Sequence, residues 1–222
     1  MREAFRQDLD LLAEQLADLA ELADQAMSDA TTALLDTDEA AVKHVEDAVD
    51  KIRIRHHQLD DRVVSVIARQ QPVATDLRVL VAGLRISADV ERMGELALHI
   101  AEIVRSRAPY PVVPPELRDT VIGMVDAAKH IIAKARVVIT SRDPDAALEL
   151  ETDDDDMDRL QESLYRHLLK DSVRPDVETA IDITLLGRYY ERYADHAVSI
   201  ARRVAFLATG RLPEKTPTHG PY

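Results

Sequence analysis

The sequence predicts an all-α protein made of two tandem three-helix bundles, with six long helices related by an internal pseudo-twofold repeat. Apolar residues recur at helical spacing along most of the chain, and only six glycines interrupt its 222 residues. The second half also repeats the pattern of the first, as expected for a duplicated unit.

Helical periodicity divides each half of the chain into three helices. Their predicted ranges are about 4–36, 39–70, 74–107, 116–142, 145–171 and 176–209. Asp38 is predicted to cap the second helix, because its side-chain oxygen can accept hydrogen bonds from free amides of the first turn. Thr75 or Asp76 is predicted to cap the third helix, just after Pro72.

A proline-rich segment at the midpoint separates the two halves. Four of the ten prolines fall in PYPVVPP, residues 109–115, and proline both lacks the backbone donor and blocks a helix. We therefore expect a first repeat over 1–108, a linker over 109–115, a second repeat over 116–209 and a flexible tail over 210–222.

The repeat is most evident in the third helix of each half. A shift of 100 residues places ERMGELALHIA, residues 91–101, on ERYADHAVSIA, residues 191–201. Both segments carry acidic residues four positions apart, which share one helix face with Cβ atoms about 6 Å apart. The helix before each segment offers a further pair, which aligns less well because it needs a shift of 108. The four pairs are Glu91 and Glu95, Glu191 and Asp195, Glu46 and Asp50, and Asp154 and Asp158.

These acidic pairs predict metal binding. Four carboxylates gathered on two facing helices repel one another unless a cation neutralises them. Ligand sets made only of oxygen favour hard or borderline divalent or trivalent ions such as iron, Mn²⁺, Mg²⁺ or Ca²⁺, and less typically Zn²⁺. The hypothesis is one metal site in each repeat.

The competing interpretation is a solvated acidic surface. With 41 acidic residues, roughly seven such pairs arise by chance, so only the recurrence in both copies favours a metal site. Arg92 and Arg192 are interpreted as members of surface ion pairs. His56 lies on an apolar stripe and is interpreted as a core histidine with a satisfied ring.

Composition excludes several classes of function. The net charge of −13 argues against nucleic-acid binding. Without cysteine, the chain has neither disulfides nor thiolate metal sites. We see no signal peptide and no apolar run of about 18 residues, so direct membrane insertion is not expected. These features predict a cytoplasmic protein.

One long segment resembles a known family. QPVATDLRVLVAGLRISADVERMGELALHIAEI, residues 71–103, closely resembles the first-repeat signature of PhoU-type phosphate-signalling proteins, with its QPVA-x-DLR start and ER-x-G core. ERYADHAVSIA resembles the second-repeat version. The resemblance spans residues 1–209, and its style is similar to that of actinobacterial members.

The resemblance implies two three-helix bundles that bind metal clusters through acidic motifs on the bundle surface. It also implies negative regulation of phosphate uptake and of the phosphate-starvation response, through the phosphate ABC transporter ATPase and a sensor histidine kinase. The location implied is cytoplasmic, peripheral to inner-membrane complexes. Glu95 departs from the pattern, because the family usually has Asp there.

A carboxylate-rich metal enzyme and a purely structural helical scaffold are the alternatives. The acidic pairs lie away from the apolar stripe, which argues against an enclosed catalytic pocket, and there is no Gly-rich phosphate loop. We predict that the chain is not an enzyme. Leu98 and Val198, interpreted as exposed apolar residues on the carboxylate side, indicate self-association as a homodimer.

Overall fold

Six long helices make up nearly all of the computed structural model, which describes residues 2–141, 143–170 and 175–209. The helices are α1 Arg2–Asp36, α2 Glu39–Gln70, α3 Thr75–Arg107, α4 Arg118–Ser141, α5 Pro144–Leu168 and α6 Val177–Thr209, with one 3₁₀ turn at Pro115–Leu117. Each predicted helix is present. The predicted ends at 142 and 171 and the predicted tail over 210–222 lie outside the described residues.

The two predicted helix caps have different outcomes. Asp38 accepts hydrogen bonds from the amides of Ala40 at 2.8 Å and Ala41 at 3.4 Å, so the cap of α2 is confirmed. The predicted cap of α3 is wrong, because α3 begins after Ala74 without a side-chain cap. Gln71 and Ala74 both have positive φ angles, of 46° and 48°. Gln71 is in the left-handed helical region and ends α2, whereas Ala74 has a ψ of −112° and directly precedes α3.

Each repeat is one three-helix bundle, and the two bundles share a core. Helices α1, α2 and α3 pack on one another, as do α4, α5 and α6. The bundles are joined where α3 packs along α6 and α1 packs along α4. Buried apolar residues form a single cluster that includes Val112 and Val113 of the connecting segment. The predicted architecture of two three-helix bundles is confirmed.

The contact between α3 and α6 shows the pseudo-twofold symmetry directly. Asp89 of α3 accepts a hydrogen bond from Ser199 of α6 at 3.3 Å. The rings of His99 and Tyr189 have centroids 5.3 Å apart. Exchanging the helices and shifting by 100 residues maps the first contact onto the second. The symmetry predicted from the repeated sequence is therefore present in the packing.

The apolar residues that indicated self-association are not exposed. Val198 is only 1% exposed and belongs to the core, and Leu98 packs against that core. The interpretation of these two residues as a surface patch is wrong, because neighbouring helices cover that side. A homodimer stays a prediction without this support.

A buried hydrogen bond between α1 and α6 gives a test of the joint, meaning the packing between the two bundles. The hydroxyls of Thr31 and Tyr190 lie 3.0 Å apart in the interior. Tyr190→Phe leaves Thr31 without its partner, so we expect the free energy of unfolding to fall by about 1–2 kcal/mol. Urea denaturation measures it. Tyr189→Phe, at the half-buried neighbour, is the control, and an equal loss in both variants would contradict the prediction.

Candidate metal site

The second repeat brings its two predicted acidic pairs together. Helices α5 and α6 run antiparallel, and their register is marked by Gln161, whose side-chain amide donates to the carbonyl oxygen of Gly187 at 3.3 Å. The acidic residues lie about one and two turns before Gln161 on α5, and about one and two turns after Gly187 on α6. These are Asp154, Asp158, Glu191 and Asp195, which lie near enough for their charges to influence one another.

Burial and mutual repulsion make protons bind tightly to this cluster. Burial, followed by the charges of Asp195 and Asp158, raises the pKa of Asp154 to about 7. Burial and the charge of Asp195 also raise the pKa of Glu191 to about 7, although the Arg188 guanidinium opposes that rise. The pKa of Asp195 is raised as well, chiefly by burial. Carboxylates in such a state have much to gain from a cation.

The four carboxylates of the second repeat do not point to a common ion position in this structure. Among the described residues, no three His, Asp or Glu side chains are arranged to hold one ion. Arg188 holds the Glu191 carboxylate through Nη1, at 2.7 Å from Oε1 and 2.6 Å from Oε2. By its chemistry, a donor set made only of carboxylate oxygens would suit a hard cation, and Glu191 would have to leave Arg188 to bind one.

In the first repeat, the predicted pair on α3 has other partners. The Glu91 carboxylate lies 3.5 Å from Nε2 of His56. His56 also contacts Asp60, at 3.6 Å, and its Nδ1 lies 2.7 Å from the hydroxyl of buried Ser87. The ring of His56 has polar partners, as predicted, but the residue is only partly buried and lies at the edge of the core. Asp60 was not among the predicted site residues, although its position four after His56 was a usable signal.

Glu95 forms an ion pair with Arg92, whose side chain is 65% exposed. The interpretation of Arg92 as a member of a surface ion pair is therefore confirmed.

The other predicted pair of the first repeat lies further along α2. Glu46 pairs with Arg105 at 2.6 Å, and Asp50 pairs with Arg53 at 3.5 Å. Glu46 comes ten residues before His56, which is about 15 Å along a helix, so Glu46 does not meet Glu91. The structure therefore gathers four predicted carboxylates in the second repeat and keeps Glu46 apart in the first. Metal binding itself stays a prediction in both.

Arg188 is a functional candidate that the sequence interpretation missed. It stands three residues before Glu191 on α6, and such spacing places two side chains on one helix face. The i,i+3 arrangement was a visible signal.

Within the described ranges, no helix combines the length and apolar character needed to span a membrane.

Fold and site together define an all-helical protein of two repeats with a carboxylate cluster between its last two helices. The PhoU domain matches the chain twice, over residues 16–104 and 121–204, so the chain belongs to the PhoU family. Each match lies within one predicted repeat.

The relatives cover nearly the whole chain. The phosphate-specific transport system accessory protein PhoU homolog 1 of Mycobacterium leprae is 40% identical over 99% of both chains. PhoU homolog 2 of Mycobacterium tuberculosis is 39% identical over 96% of this chain and all of that protein. The predicted resemblance to actinobacterial PhoU proteins is confirmed. These relatives are named accessory proteins, which agrees with the prediction that this chain is not an enzyme.

Solved structures confirm the fold. PhoU from Pseudomonas aeruginosa superposes with a TM-score of 0.86 at 25% identity and covers 93% of this chain and 100% of its own. The phosphate transport system regulatory protein PhoU from Streptococcus pneumoniae gives 0.85 at 19% identity, covering 95% of this chain and 99% of its own.

The acidic cluster predicts an unusual pH dependence of stability. Because the pKa of Asp154 is raised from 3.8 to about 7, the folded protein binds this proton more tightly than the unfolded chain does. That stabilisation is complete below about pH 4 and is lost as the pH rises through about 7. In the presence of a chelator, we expect the free energy of unfolding of the unmodified protein to fall between pH 5 and pH 8. In the Asp154→Asn variant this fall should be smaller by about 1 kcal/mol.

Chemical denaturation at the two pH values measures the effect. The control is Asp155→Asn, because Asp155 is an exposed neighbour in the same acidic run. It should behave as the unmodified protein does. If Asp154→Asn also followed the unmodified protein, Asp154 would not belong to a repelling cluster.

Proposed function

We propose that this chain is a negative regulator of phosphate uptake and of the phosphate-starvation two-component response. The observation that carries the proposal is the double PhoU match together with full-length relatives named as accessory proteins of the phosphate-specific transport system. In this proposal the chain acts in the cytoplasm, peripheral to inner-membrane complexes.

The proposed partners are the ATPase of the phosphate ABC transporter and a sensor histidine kinase. A body of six packed helices can present a fixed surface to both, since the two bundles share one core. Regulation then follows from differential affinity: an adaptor that binds the inactive state of the kinase more tightly shifts the population towards that state. No change of fold within the adaptor is required.

The proposed metal site supports this adaptor role. Asp154, Asp158, Glu191 and Asp195 would hold one or more ions of iron, Mn²⁺, Mg²⁺ or Zn²⁺. A bound cation would supply the positive charge that removes the repulsion among the four carboxylates. The chain's own contribution is to hold two helices so that these residues face one another.

A pull-down tests the regulatory role. A tagged chain expressed in its own host should retrieve the transporter ATPase and the sensor kinase from cells grown with ample phosphate. Deleting the gene should switch on a phosphate-starvation reporter under the same conditions. If folded bait recovered neither partner and the reporter stayed silent after deletion, the proposed regulation would be wrong.

Elemental analysis tests the metal site separately. The double variant Glu191→Ala and Asp195→Ala should contain much less metal than the unmodified protein when both are purified without chelator. Asp155→Ala is the matched control because it removes an exposed acid from the same acidic run. Equal metal content in all three proteins would exclude Glu191 and Asp195 as ligands.

A further inference from the structure

We propose that the two repeats differ in ion binding: only the second repeat holds an ion, because Val49 and Arg53 stand in the first repeat where the second has Asp154 and Asp158. This inference rests on the proposed metal-binding function and limits it to one end of the molecule. Its physical basis is the packing register of α2 on α3, compared with that of α5 on α6.

The buried faces of α2 and α5 establish which residues correspond. Both helices carry fully buried apolar side chains at heptad spacing, each no more than 1% exposed. With an offset of 105 residues the matches are Val45 with Leu150, Ile52 with Met157, and Leu59 with Leu164. The core therefore aligns α2 with α5 at an offset of 105 residues. This differs by three residues from the offset of 108 that the acidic residues alone suggested.

Polar contacts with the third helices confirm this register. His56 of α2 contacts Ser87 of α3, and Gln161 of α5 contacts Gly187 of α6. Ser87 and Gly187 correspond by the shift of 100 that relates α3 to α6. His56 and Gln161 are again 105 apart, so an observation independent of the core gives the same alignment.

At this register the first repeat lacks two of the four acids. Asp154 corresponds to Val49, which is buried and lies against Gly94, since a Cβ added to that glycine would be 3.8 Å from Val49 Cγ2. Asp158 corresponds to Arg53, which pairs with Asp50 at 3.5 Å. An apolar side chain and a guanidinium cannot replace two carboxylate ligands, and the guanidinium repels a cation.

The remaining acids of the first repeat have side-chain partners on the protein itself. Arg92 pairs with Glu95, Arg105 pairs with Glu46, and His56 contacts Glu91. In the second repeat, four acids lie together and Arg188 engages Glu191.

Mn²⁺ titration of the chelator-stripped full chain, followed by the electron paramagnetic resonance signal of free Mn²⁺, tests the inference. Glu191→Gln with Asp195→Asn should weaken binding by at least about tenfold, because ligand charge sets affinity. Glu91→Gln with Glu95→Gln should leave binding unchanged. If the second pair of substitutions weakened binding as much as the first, the first repeat would hold an ion and the inference would be wrong.

A gain-of-site variant makes the test sharper. In the background of Glu191→Gln with Asp195→Asn, Arg53→Asp supplies the missing carboxylate at a partly exposed position, so folding is not at risk. Mn²⁺ binding should return about tenfold more tightly than in Arg53→Gln, which removes the charge but adds no anionic ligand. Adding Val49→Asp completes the set, with circular dichroism as the check on folding because Val49 is buried.

The outcomes separate this inference from the function it rests on. Equal affinity of Arg53→Asp and Arg53→Gln would overturn the assigned register. If neither the Glu191 and Asp195 pair nor the Glu91 and Glu95 pair affected binding, the proposed metal site itself would be wrong. In that case the pull-down would still decide the regulatory role.

Discussion

The register of each third helix on the second helix of its repeat is the constraint on which the rest of this structure depends. Antiparallel helices of fixed rise bring a given residue opposite only one or two partners, and a slip of three residues changes those partners completely. In this chain the register is determined by buried apolar side chains at heptad spacing. The acidic residues follow the core, and their positions relative to one another are a consequence of it.

The same fold therefore carries two different electrostatic surfaces. In the second repeat the register places four carboxylates together, and their repulsion adds to burial in raising the pKa values of Asp154 and Glu191 to about 7. In the first repeat, the equivalent face holds Arg53, His56 and acids that have their own partners. The heptad core positions are apolar in both halves, whereas other positions differ, including buried Val49, which corresponds to Asp154.

The joint between the repeats makes the molecule one body. Arg107 of α3 reaches Glu178 at 2.6 Å and Asp182 at 3.5 Å on α6. At the other end of the joint, burial favours the neutral form of Asp89, but hydrogen bonds from His196 and Arg203 outweigh burial and lower its pKa. These ion pairs and the buried Tyr190 hydroxyl hold the bundles in a defined orientation. Such a body can present the same surface to a partner before and after docking.

Most of the fold was predictable from the sequence, because helices are specified by local periodicity and by prolines. All six helices, the Asp38 cap, the 100-residue repeat and the acidic pairs of the third helices could be deduced in this way. Sequence could not show that α3 lacks a side-chain cap, that Val198 is buried, or that Glu46 lies apart from Glu91. Each of these depends on how separate helices pack, and packing joins residues that no local pattern relates. The sequence by itself thus determined the helices and their acidic faces, whereas only the tertiary structure decided which of those faces meet.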